Sequence, residues 1–119
     1  MISEEVVEYL VLEAPPGLYT EVQEYHDSIE VGQTYMVEIF TYDEEPRAAL
    51  VLELEVVVQR KYSSNITKLS KPPAEIQLYI KFVIGEQIRH LLVAFWTWNA
   101  IGDVYRSTTD LRKVSDKDD

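Results

Sequence analysis

Period-two patterning is longest in AALVLELEVVVQRKY, residues 48–62. Leu50, Leu52, Leu54, Val56 and Val58 fall on one side of a pleated strand there, and Val51, Glu53, Glu55, Val57, Gln59 and Lys61 on the other. At about 3.3 Å per residue such a strand would run roughly 50 Å, against a usual length of about five or six residues. Either it bends through a bulge and serves two sheets or a barrel wall, or its end projects beyond the core as a ribbon.

The alternation returns in EIQLYIKFVI, residues 75–84, with Ile76, Leu78, Ile80, Phe82 and Ile84 inward and Gln77, Tyr79, Lys81 and Val83 outward. Gly85-Glu86 turns this strand into a hairpin with QIRHLLVAFWTW, residues 87–98. The second strand is apolar on both sides, because Leu91, Val93 and Phe95 oppose Leu92, Ala94 and Trp96. Both of its faces want cover, from a curled sheet, another copy of the chain or a different protein.

Upstream, TYMVEIFTY at residues 34–42 reads as a strand, and DEEP at residues 43–46 as a turn into the long strand. Leu18, Val22, Tyr25 and Ile29 recur at helical spacing and Thr20 with Gln23 fits a capping box, which predicts a helix near residues 21–29. Residues 4–14, EEVVEYLVLEA, favour a strand by β-branched and aromatic content, with a short helix capped by Ser3 as the alternative. Pro15, Pro16 and Gly17 end that element. SSNITKLSKPP at residues 63–73 is a polar loop, and VYRST at residues 104–108 a last short strand. The pattern predicts a mainly β fold, with α+β as the alternative. It has an antiparallel sheet of five or six strands, curled or barrel-like, with one short helix. Residues 1–109 form the domain and residues 110–119 a frayed charged tail.

Charge changes the picture more than composition does. The formal net charge is -10, and residues 1–46 hold twelve carboxylates and no Lys or Arg. The remainder sets nine acids against eleven bases, so the first third carries -12 and the rest +2. Five of the eight tyrosines, Tyr9, Tyr19, Tyr25, Tyr35 and Tyr42, lie in the cation-free third. Tyrosine gives an interface area and a hydrogen bond at low entropic cost, while carboxylates at a rim speed encounter. The binding residues this predicts are Glu21, Glu24, Tyr25, Asp27, Glu30, Tyr42, Asp43, Glu44 and Glu45. The partner they suit is a basic protein, including one that normally grips nucleic acid, so the chain could act as an inhibitor that mimics nucleic acid. Such a face repels nucleic acid itself and anionic membrane. Plain solubility accounts for the same acids, and β-propensity for the same tyrosines. Two further readings remain open: a subunit of a multi-copy assembly such as a virion, and a small barrel around an apolar ligand.

Candidate chemistry is thin, and no enzyme activity, cofactor or metal is expected. There is no Cys, and His26 and His90 read as structural histidines, with no serine motif of the nucleophile-elbow kind. Glu53 and Glu55 have a spacing a glycosidase could use, yet alternating glutamates are also the wet side of an amphipathic strand. Asp43, Glu44 and Glu45 lack the alternate spacing and glycine of a calcium loop. Asn65-Ile66-Thr67 fits a glycosylation triplet, but no export signal opens the chain, and no apolar run reaches the roughly 20 residues of a membrane span. An intracellular protein is the expectation.

Overall fold

The structure is a computed structural model that describes residues 2–38, 45–60 and 74–114. Eight elements follow in order: α1 (Glu4–Glu13), α2 (Leu18–Asp27), β1 (Thr34–Val37), β2 (Arg47–Arg60), β3 (Ala74–Ile84), β4 (Gln87–Trp98), β5 (Val104–Thr108) and β6 (Arg112–Lys113). All strand pairs are antiparallel, in one sheet of order β5-β4-β3-β2-β1-β6. The sheet is open, and two helices cover one of its faces.

Within residues 4–14, where a strand is the leading expectation, Glu4–Glu13 form helix α1. Ser3 caps it, its hydroxyl accepting from the Val6 N–H at 3.3 Å, and Glu4 and Glu5 sit where the helix dipole favours anions. Val6 and Leu10, four apart, are buried and decide the matter over β-propensity. Helix α2 starts at Leu18, earlier than predicted. Gly17 takes the N-cap at φ 89°, a left-handed conformation that suits glycine, and Thr20 lies inside the helix, so the expected capping box does not form. Leu18, Val22 and Ile29 are buried as their spacing requires.

Strand β3 follows its sequence pattern throughout: Ile76, Leu78, Ile80, Phe82 and Ile84 all face the helices and are buried. Strands β2 and β4 do not, because each carries a bulge. In β2 the register shifts between Val51 and Glu53, so Ala49 and Val51 point inward before it and Leu54, Val56 and Val58 after it. Leu50 and Leu52, expected on the same side as Leu54, Val56 and Val58, are 36% and 38% exposed. In β4 the shift lies around Val93, which buries Val93, Ala94 and Trp96 together and leaves Leu92 and Phe95 half-buried on the open face. Val93, expected on the side of Phe95, thereby joins Ala94 and Trp96, while Phe95 stays opposite them as expected.

These bulges curl the sheet. Strands β5 and β6 lie at opposite edges, five strand spacings or about 24 Å apart if the sheet were flat. The four residue steps from Thr108 to Arg112 reach at most about 14 Å. The edges therefore bend towards each other around α2, short of a closed barrel. Residues 110–114, expected as part of a frayed tail, instead return to the sheet: Arg112 and Lys113 pair with β1, and the Val114 N–H donates to the Thr34 carbonyl at 2.8 Å. Leu111 packs against the core.

Candidate functional site

Helix α2 carries four of the predicted binding residues, Glu21, Glu24, Tyr25 and Asp27, with Glu30 just beyond its end, and the structure gives most of these five work inside the molecule. Glu21 accepts from the Trp96 indole N–H at 3.2 Å and from Arg106 of β5, whose Nη2 donates at 2.9 Å and whose Nε lies against the same carboxylate. Trp96 is fully buried, so this carboxylate satisfies a polar atom of the core. Glu30 is met by Lys113 at 3.3 Å, which ties the end of the α2 segment to β6. Asp27 accepts from His26 Nδ1 at 3.0 Å. Glu24 and Glu45 are exposed, with no cation beside them among the described residues. Tyr42, Asp43 and Glu44 lie outside the described residues.

The tyrosines also turn inward. The Tyr25 ring packs edge-on to Trp96 at 5.8 Å, and its hydroxyl donates to the Thr109 carbonyl at 2.6 Å. Burial, and secondarily the nearby Asp110 charge, push its pKa up to about 12 against the pull of that hydrogen bond. Tyr35 is buried and its oxygen accepts from the Glu30 N–H at 2.8 Å. Tyr9 leans on Trp98 at 6.1 Å. Glu21, Tyr25 and Glu30 are thus a clamp that holds β5, β6 and the link between them to α2 and the residues just after it.

His26, read from sequence as a structural histidine, is only 6% exposed because it sits four residues after Val22 on the inner side of α2. Its Nδ1 proton goes to Asp27, and its buried Nε2 has no hydrogen-bond partner among the described residues.

Sequence reasoning missed the outer side of α1. Val7 and Val11, and Glu4 and Glu8, are i, i+4 pairs, a signal that a helical reading of residues 4–14 exposes at once. They line an open groove of about 560 Å³ together with Ile2 and Leu12. Val11 is 62% and Leu12 71% exposed. Helix α1 has four glutamates and no cation.

On the open sheet face, Glu53, Glu55, Tyr79, Lys81 and His90 surround a dent of about 90 Å³. Glu53 and Lys81 are cross-strand partners 3.8 Å apart, and Glu55 stands opposite Tyr79, so the glutamate pair belongs to a wet cross-strand ladder. Among the described residues no group of three or more His, Asp or Glu is placed to hold a metal ion, and no helix is long and apolar enough to cross a membrane.

No family model matches this chain, and no curated protein or solved structure matches it either.

Proposed function

We propose that this chain is a non-catalytic binding protein that docks a basic protein partner on its helical layer, with the outer side of α1 at the centre of contact. The α1 groove carries the reading: an apolar floor of Val7, Val11 and Leu12 beside Glu4 and Glu8, in a third of the chain that holds no Lys or Arg. An apolar centre with charge at its margin is the anatomy of a recognition surface, and carboxylates there steer cations in and turn nucleic acid away. A second copy does not fit, since two α1 surfaces would set Glu4 and Glu8 against their own counterparts. Glu24 and Asp27 extend the negative field along α2. A surface that otherwise grips phosphates is one class of partner with the right chemistry.

The test is capture at low and high salt with the charge reversed. Partners held at about 50 mM salt should be released by about 200 mM, and Glu4→Lys with Glu8→Lys should not hold them at all. Binding that ignores salt, or that survives the double reversal, refutes the reading.

A further inference from the structure

Strand β2 is longer than the strands beside it. Its partner on the outer side, β1, pairs only with residues 47–50, and the preceding Gly32 and Gln33 reach Val51. From residue 52 to residue 60 no described strand pairs with that edge. The direction of the free groups follows from Val51, which uses both its N–H and its C=O towards residues 32–33. Leu54, Val56 and Val58 share its face of the sheet, so their N–H and C=O groups point to the same outer edge.

Grooves flank this edge at both ends. One, of about 590 Å³, is lined by Asp27, Ile29, Val31, Leu52, Glu53 and Leu54 among others. The other, of about 570 Å³, lies between Val58 and the Glu5, Glu8 and Leu12 side of α1. Both combine exposed apolar side chains with carboxylates, and neither is lined by Lys or Arg among the described residues. Asp27 is met by His26 and Glu53 by Lys81, while Glu5 and Glu8 have no cation beside them among the described residues.

We infer that the outer edge of β2 takes an extended basic segment of a partner as an added antiparallel strand. Main-chain hydrogen bonds to Leu54, Val56 and Val58 hold it, its apolar side chains lie towards the helices, and its cations lie beside Glu53 and Glu55. An edge left unpaired among the described residues over this length is a template for pairing, and this one lacks the lysines that usually blunt such edges between residues 52 and 59. Self-pairing would bring two acidic α1 helices together across the same grooves, so the charge selects a basic partner over a second copy. The inference borrows the sign of the partner's charge from the reading above; the strand addition stands apart from it.

The probe is a fluorescein-labelled, eight-residue peptide of alternating lysine and valine, with anisotropy as the readout. In the antiparallel arrangement the valine amides face β2 and the lysine amides face away. N-methylation of the valines should weaken binding at least about tenfold, and N-methylation of the lysines should leave it within about twofold. Salt-sensitive binding that is indifferent to both methylations, or is lost only on lysine methylation, overturns the added strand while leaving the basic-partner reading intact. No binding by any peptide, or a chain that dimerises through this edge by sedimentation, also overturns it.

Discussion

Replacing Glu21 separates a structural carboxylate from a partner-binding one. Glu21→Ala removes the acceptor of the Trp96 indole N–H, and Trp96 is fully buried. A buried donor left without a partner costs about 1–3 kcal/mol. The ion pair with Arg106 adds at most about 1 kcal/mol, because both side chains are more than a third exposed. The sum is about 1–4 kcal/mol. With an unfolding entropy of about 2.1 cal/mol/K per residue, each kcal/mol lowers the Tm of a 119-residue chain by about 4 °C, so the expected fall is about 4–16 °C. Glu21→Gln keeps an oxygen for the indole and loses only the charge, so its cost stays below about 1 kcal/mol. Glu24→Ala, on the exposed side of α2, should change stability by less than about 0.5 kcal/mol. Urea unfolding followed by tryptophan fluorescence reads all three. If Glu21→Ala is as stable as Glu24→Ala, the carboxylate does not serve the core and its place in a clamp is wrong.

Two further outcomes follow from the same packing. The unfolded chain releases a tyrosine proton near pH 10, whereas folded Tyr25 holds its own to about 12, so above pH 10 the unfolded state binds fewer protons. Stability from this phenol is therefore fully present below pH 10 and is lost as pH rises towards 12. Because Tyr25 is only half-buried, the loss is of order 1 kcal/mol after solvent screening, and Tyr25→Phe should show a flatter alkaline limb in urea titrations at successive pH values. Leu10→Ala should destabilise by about 2–5 kcal/mol, since Leu10 is buried beneath α1; a change under about 1 kcal/mol in thermal unfolding would mean that α1 does not pack on the core.

Where a strand runs without irregularity, its side-chain pattern is enough. Ile76 to Ile84 in β3 keep the inward positions read from sequence, and the Gly85-Glu86 turn and β5 lie where they were expected. A bulge adds one residue without changing composition, so nothing in LVLELEV announces that Leu52 is the extra one, and Leu50 then lands on the open face. The same holds for Val93 in β4. Helix α1 was hidden by valines that suit strands, and a ten-residue helix gives periodicity little room to compete with propensity. Strand β6 was hidden by its charge: Lys113 looks like tail chemistry until Glu30 stands beside it. Of the candidate site, the acidity of the N-terminal third was legible. The side chains it keeps for itself were not, because Glu21 meets Trp96 and Arg106 across 75 and 85 residues of sequence.

The polarised charge has two uses that one experiment can separate. Arg106 on Glu21 and Lys113 on Glu30 join the two edges of the curled sheet to the segment between them, so part of the asymmetry closes the fold. What remains unspent lies on α1 and along the outer edge of β2, where Glu4, Glu5 and Glu8 have no cation beside them among the described residues. Salt acts differently on the two. The clamp bonds are partly exposed and each is worth little, so raising salt to about 200 mM should shift stability by less than about 1 kcal/mol. A partner neutralising several carboxylates at once should lose affinity by a much larger factor over the same range, because the screened contacts multiply. A chain that unfolds with salt as steeply as it releases its partner would place the whole asymmetry in the fold and leave no surface to bind with.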